Sequence, residues 1–504
     1  MADHKNYDSE FCGNLPLNQI NVIQDYGYLL ALKLPGLEII QVSTNLPGML
    51  GSDLHDLIDK PLQQVLDPKE ISKLEDRLSR SIPTKAPLTI HVNDQVMDLL
   101  VHHRKDHVIL ELERKINDDR IFNSVFEEIR FAIDHIEQCQ SIEETTKVAV
   151  SEIRKITGFD GVMMYQFDQD WNGTVVAEEK AAGMDNYLGL TFPASDVPKQ
   201  ARELYLKNPY RLIPDRNYQA IRLHPVVNPV TRSFTDLSTC NIRGVAGVHL
   251  EYLENMNVTA SMSIRVIHHG KLWGLIACHH QTKKYLSLEK CSVCDLFSSA
   301  ISAKIESLIH LQGAEIETIL QKDQTALITQ VYSKDDLIAG LIGDDNLNIA
   351  TLFSADSAVL INDDKLYWQG SPFNEDFLHD LVLWLQTQNE NKLFYSDRLP
   401  LLFEEAKAFA EDACGIIAFP IDAERGDYAI CFRKEYKKEI SWGGDPNQAI
   451  NFEPDGKKYH PRNSFRLWEE TIHYTSKPWR NEELAVADAM RAFIYEYQTR
   501  KKIF

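Results

Sequence analysis

Cysteine is scarce in this chain, with eight thiols among 504 residues at irregular spacing. That density argues against a disulfide-built secreted fold and fits reduced thiols buried as small hydrophobes in a cytoplasmic protein. Long apolar runs are missing as well. No stretch approaches the ~18 apolar residues of a membrane span. The polar, acidic start MADHKNYDSE does not read as a signal peptide. Basic residues are outnumbered, 53 Lys and Arg against 74 Asp and Glu, for a formal charge of −21. The one compact basic cluster is the tail TRKKIF. This balance argues against nucleic acid or an anionic membrane as a main partner. A Gly-rich phosphate loop, a GxSxG elbow and HExxH are all lacking, so nothing reads as a self-contained enzyme.

What is present is a globular composition, 44% hydrophobic and 25% charged, long enough for about three domains. Residues 20 to 112 alternate short strand-like runs with turns. NVIQDYGYLLALK reads as a hairpin around Gly27, and LTIHVNDQVMDLLVHHRKDHVILELE as strands joined at polar turns. The period then becomes helical, with Phe122, Phe126 and Ile129 on one face and Gly158 as a stop.

A second α+β region follows. FDGVMMYQFDQDWNGTVVAEEK reads as two strands across the turn DWNG, and SMSIRVIHHGKLWGLIACHH as a hairpin. Met262, Ile264 and Val266 alternate there with Ser261, Ser263 and Arg265, placing hydroxyls on one face. LEKCSVCDLFSSAISAKIESLIHLQGAEIETILQ is a long helix with Phe297, Ile301, Ile305 and Leu308 on one side. Such helices join domains or pair with a copy of themselves. A third α+β region fills residues 325 to 480 and holds a long Gly-, Pro- and aromatic-rich segment, SWGGDPNQAINFEPDGKKYHPRNSFRLWEETIHYTSKPW. Long insertions of this kind are usually functional or disordered. The last helix carries Ala487, Met490, Ile494 and Tyr497 on one face.

Two motifs invite over-reading. Cys278, His279 and His280, followed by Cys291 and Cys294, have spacings seen in zinc sites, yet short patterns of this sort often match by chance. They read as core cysteines beside strand-end histidines, and no metal is expected. WGGDP lacks the second acid of a cyclase signature and reads as a turn. More informative is FPASDVPKQARELYLKNPYRLIPD, which gathers Phe192, Asp196, Tyr205 and Arg211, with Arg243, His249, Tyr252, Ser261, Ser263 and His279 downstream. Together they would suit a large flat ligand, apolar in the middle and carboxylated at its edge.

At this point the residues match a family. PASDVP, QARELY, HLEYLENM and LWGLIACHH resemble the chromophore-binding GAF domain of phytochromes, and WGGDP, PRNSF and WEE resemble the tongue of their PHY domain. The resemblance covers essentially the whole chain. It implies three consecutive α/β domains of α+β class, PAS, GAF and PHY, with antiparallel sheets joined by long helices and an N-terminal knot. The implied boundaries are an N-terminal segment 1–17, PAS 18–117, GAF 118–310 and PHY 311–504, with a tongue at about 439–480 and a C-terminal signalling helix.

The implied function is a red/far-red photoreceptor holding biliverdin, with the alternative of a non-photochemical GAF sensor of a cyclic nucleotide or other small ligand. In the family, a cysteine directly before the His of CHLEYL, or one upstream of PAS, carries the chromophore. Here Val248 precedes His249, which leaves Cys12 for a thioether and points to the bacterial, biliverdin-binding type. The chain has IQDYG where the family has IQPHG. By position, the Asp196 carbonyl and His249 would serve the pyrrole nitrogens, and His279 the ring D carbonyl. Arg211, Arg243, Ser261 and Ser263 would hold the propionates. Tyr165, Phe192 and Tyr252 would wall ring D, with Tyr205 also in the pocket.

Asp196 would pair with the tongue's Arg462 in the red-absorbing state, with Ser464 as replacement partner and Trp468 in the same switch. The change would pass through a parallel homodimer to a C-terminal histidine kinase or diguanylate cyclase, neither of which is in this segment.

Overall fold

A computed structural model describes residues 17–79, 87–116, 122–343, 346–370, 373–388, 392–446, 450–452, 459–462 and 464–503. Cys12, and with it the proposed attachment point, lies outside them. Two compact units emerge. One comprises the described parts of Met1–Leu308 and Ser441–Trp468, the other those of Ile309–Ile440 and Glu469–Phe504.

The first unit contains two sheets. The N-terminal sheet runs, in spatial order, Val22–Ile23, Ile221–His224, Glu38–Ser43, Gly27–Lys33, His107–Arg114, Gln95–His103 and Leu88–Val92. One face packs on a core that includes Leu32, Ile39, Leu62, Leu74, Met97 and Leu110. The expected hairpin around Gly27 is not formed. Val22–Ile23 pairs antiparallel with Ile221–Arg222, some 200 residues on, and Gln24 N donates to Ile242 O (2.7 Å). Gly27 is a glycine for another reason. A Cβ there would lie 2.8 Å from Ile242 Cγ2, so the position serves close approach rather than a turn. Residues 22–24 are thus bonded on both sides to the stretch 221–244.

The second sheet orders Tyr210–Ile213, Ala260–His268, Lys271–His280, Gly161–Phe167, Gly173–Lys180 and Thr191–Phe192. Helix Ile142–Thr157 covers it, opened by Ser141 Oγ accepting from Glu144 N and closed by Gly158 in the left-handed region (φ +64°). On Ala260–His268, Met262, Ile264 and Val266 are fully buried on one face, as alternation predicts. Cys278, Cys291 and Cys294 are buried thiols, and burial pushes the Cys294 thiol up to about 12. Trp442 joins this sheet beside Thr191, so the WGG motif docks here. Ile450–Phe452 and Tyr459–Pro461 form a two-stranded hairpin.

The second unit is built on a five-stranded antiparallel sheet, Lys365–Gln369, Ser357–Asn362, Asp427–Arg433, Gly415–Asp422 and Phe394–Ser396. One face packs against Leu327 and Val331 of helix Leu288–Lys334 and against Ala487, Met490, Ile494 and Tyr497 of helix Asn481–Ile503. Helix Glu375–Gln388 covers the other face. Helix Leu288–Lys334 runs 47 residues through both units. Among the described residues, no helix is long and apolar enough to cross a membrane.

Candidate functional site

A cavity of about 220 Å³ opens between the second sheet and helix Gly247–Asn255. A single water needs roughly 10–15 Å³ on this scale, so the space suits a ligand of many atoms. Every residue expected to bind, apart from Cys12, lines it: Tyr165, Phe192, Asp196, Tyr205, Arg211, Arg243, His249, Tyr252, Ser261, Ser263 and His279. Val248 lines it too, at the position where a thiol would otherwise stand.

The walls follow from local structure. Pro193 and Pro198 hold extended φ/ψ on either side of the turn Ala194–Asp196, and Arg202 Nη1 donates to Val197 O at 2.7 Å to fix it. Period two carries Ser261 and Ser263 inward on their strand, with the Ser263 hydroxyl on Tyr205. Aromatic edges close one end. Tyr165 meets Phe192 at 5.5 Å and 74°, and Tyr252 meets Phe465 at 5.2 Å and 83°, both edge-to-face.

Two guanidiniums face this cavity without a carboxylate. Arg211 Nη2 donates to the carbonyls of Arg243 and Gly244 (2.8 and 2.7 Å), while its Nη1 is buried without a partner. Arg243 Nη1 donates to Leu17 O, and its Nε is likewise unpartnered. Burial lowers the pKa of both, and for Arg243 the neighbouring Arg211 lowers it further. Among the described residues neither has an anionic partner, and a buried charge without a counter-charge is costly.

The two histidines are neutral. Burial lowers the His249 imidazole to about 4, with Arg211 adding to the effect. Burial, then His249, does the same for His279, whose Nδ1 has no partner. His249 stacks on Tyr252 at 6.1 Å and 13°. The arrangement suits a flat, conjugated ligand with two anionic arms for Arg211 and Arg243 and a hydrogen-bonding edge for the imidazoles.

Asp196 points its carboxylate away to the tongue. Oδ1 accepts from Arg462 Nη2 at 2.7 Å and Oδ2 from Tyr252 Oη at 3.0 Å. Arg462 Nη1 donates to Gly443 O at 2.8 Å. Burial raises the Asp196 carboxyl above the ordinary value, and Arg462 only partly offsets it. The WGG glycine has a packing reason, because a Cβ on Gly443 would lie 2.6 Å from Phe192 Cζ. Ser464 and Trp468 are exposed in this arrangement and make no bond to Asp196. Leu17 lines the cavity, and Tyr187 and Phe465 sit behind its wall against Phe192 and Tyr252; none of the three was expected there. Phe465 lies inside the quoted motif PRNSF, so the signal for it was there. Asp25, where the family carries Pro-His, accepts from Gln219 N at 2.9 Å and so ties that turn to the neighbouring loop.

Comparison with known proteins places this geometry. Residues 12–115 match the PAS fold, 141–305 the GAF domain and 320–502 the phytochrome region. The chain is 36% identical to cyanobacterial phytochrome A of Nostoc sp., over 96% of this chain and 64% of that protein. It is 31% identical to a bacteriophytochrome of Pseudomonas aeruginosa, over 96% of this chain and 66% of that protein. It therefore spans just under two thirds of the length of these relatives. Among solved structures, a bacteriophytochrome from the photosynthetic bacterium R. palustris superposes with a TM-score of 0.86 at 30% identity, covering 97% of this chain and 99% of that one. The Stigmatella aurantiaca phytochrome photosensory core module gives 0.85 at 32%, covering 98% and 99%. The class is thus a three-domain PAS-GAF-PHY sensor. The chain belongs to the phytochrome family and spans its PAS, GAF and phytochrome-region domains.

Proposed function

We propose that this module is a red/far-red receptor that binds biliverdin, an open-chain tetrapyrrole, through a thioether to Cys12. The single observation that carries the reading is the pair of buried guanidiniums, Arg211 and Arg243, facing a large aromatic-walled cavity without a carboxylate partner. A ligand with two propionates would supply the missing counter-charges, held also by the hydroxyls of Ser261 and Ser263. When bound, biliverdin supplies a conjugated system that absorbs red light and isomerises.

The protein's part is to orient and to relay. His249 and His279 present neutral imidazoles, able to donate or accept, at the buried end of the site. Tyr165, Phe192, Tyr205 and Tyr252 exclude water. The Asp196–Arg462 pair reads as the closed form of a switch, with Ser464 as the alternative partner and Trp468 exposed for re-docking. The stretch 466–474, of which Leu467–Ile472 is a strand here, holds the helix formers of RLWEE beside the strand formers of TIHY. The assignment to residues 1–17, 18–117, 118–310 and 311–504 follows the same reading. So does a cytoplasmic, parallel homodimer through the long helices, feeding a C-terminal histidine kinase or diguanylate cyclase. The tongue's closure over the pocket supports this over a plain GAF sensor of a cyclic nucleotide, which has no need of such a lid.

The test is co-expression with a haem oxygenase and absorbance before and after red light, on the wild type and on Cys12→Ala. A far-red-shifted product is expected from the wild type. The variant should lose its zinc-fluorescent band on a denaturing gel. Absence of any photoproduct overturns the receptor reading, and a band surviving in Cys12→Ala overturns the thioether assignment.

A further inference from the structure

The turn joining Gly161–Phe167 to Gly173–Lys180 carries a tryptophan where glycine or asparagine is expected. Trp171 has φ +65°, a left-handed backbone that a bulky side chain enters only at a steric cost. The bonds around it impose that turn. Asp168 Oδ1 accepts from the N–H groups of Asp170 (2.9 Å) and Asn172 (2.8 Å), and Oδ2 from Asn172 Nδ2 (3.1 Å). Asp168 N donates to Asn172 O at 2.9 Å. A strained residue held this firmly points to a use for its side chain.

Two routes lead from this loop to the turn Ala194–Asp196. Asn172 Oδ1 accepts from Ala194 N at 3.3 Å. The Trp171 ring packs against the Arg202 guanidinium, whose Cζ lies 4.5 Å from the ring centroid. Arg202, buried on helix Lys199–Lys207, donates from Nη1 to Val197 O at 2.7 Å. Ala194 O stands 3.5 Å from the same nitrogen. The turn gains from such outside support, because Pro193 and Pro198 at its ends have no N–H to bond.

We propose that Trp171 is a positioning residue for the tongue switch: its ring orients Arg202, and Arg202 fixes the turn that presents Asp196 to Arg462. A guanidinium on a long stem has many rotamers, and stacking on an indole face selects among them. Precision matters at the far end. The Asp196 and Arg462 side chains are 7% and 2% exposed, and a pair this dry is favourable only while its geometry is kept. Trp171 acts through Arg202, not on Asp196 itself.

The proposal rests on reading Asp196 and Arg462 as the switch pair, but its test needs neither pigment nor light. Amide exchange is measured on the whole chain at Ala194 and Asp196, whose N–H groups bond Asn172 Oδ1 and Pro193 O. Amides of the strand Gly161–Phe167 serve as the control for general loosening. Trp171→Asn removes the ring and eases the backbone, since asparagine tolerates the left-handed region. Ala194 and Asp196 should then exchange about three- to ten-fold faster, the range of a cation–π contact, with the strand amides unchanged. Trp171→Phe keeps an aromatic face and should restore most of the protection. Arg202→Gln should loosen the same two amides, and adding Trp171→Asn to it should loosen them no further.

Wild-type exchange in Trp171→Asn, or equal loosening of the strand amides, overturns the proposal. So does Trp171→Phe as loose as Trp171→Asn, or a full further loosening in the double variant. Each of these results leaves the receptor reading standing, since that reading fails on missing photoconversion in the wild type.

Discussion

Asp196 and Arg462, 266 residues apart in sequence, meet at 2.7 Å with their side chains 7% and 2% exposed. A pair this dry is held by geometry. Breaking a buried pair by removing one partner costs about 3–5 kcal/mol, because the other charge stays buried alone.

Arg462→Ala should therefore release the tongue from the pocket in the dark form and impair formation or stability of the photoproduct. Gly443→Ala should mimic it without touching a charge, since its methyl group would strike Phe192. Limited proteolysis of the tongue and the light–dark absorbance cycle check both. An unchanged cycle in Arg462→Ala would rule out the Asp196–Arg462 switch.

Arg243→Gln separates binding from stability. The wild-type guanidinium is buried beside Arg211 without a counter-charge. Removing it should leave the midpoint of thermal unfolding of the pigment-free protein unchanged or higher. Loading of pigment should fall about ten-fold or more, since a charge-assisted hydrogen bond is worth about 1.5–3 kcal/mol. A lowered midpoint with normal loading would contradict the propionate role.

His249 and His279 set an acid limit on the stability of the pigment-free protein. Their imidazoles are lowered to about 4, against an ordinary ~6.5 in the unfolded chain. Between those values the unfolded state binds more protons, so stability rises with pH across the window and is lost as pH falls through it. Each group accounts for about 3 kcal/mol at most by this difference. Urea midpoints of the pigment-free chain at pH 6.5 and 4.5 should drop less in His279→Gln than in the wild type. Equal drops would mean that His279 is not buried neutral.

Several expectations of the sequence hold in the structure for local reasons. Ala487, Met490, Ile494 and Tyr497 are all buried, because a 3.6-residue period is a property of the helix alone. Gly158 stops its helix in the left-handed region, where glycine meets no Cβ penalty. The inward serines of residues 260–268 follow from period two. The hairpin around Gly27 failed for the opposite reason. Alternation says that a strand forms but not which strand it meets, and Val22–Ile23 found its partner at Ile221–Arg222.

By itself, then, the sequence determined the three α+β domains, the family motifs, most of the cavity wall and the lack of a thiol beside His249, because each is written in local period or in residue type. Tertiary structure decided which charges are left without partners, as at Arg211 and Arg243, and which distant residues close on one another, as Asp196 on Arg462. Those outcomes depend on burial and on loop closure across hundreds of residues, and no local pattern carries them.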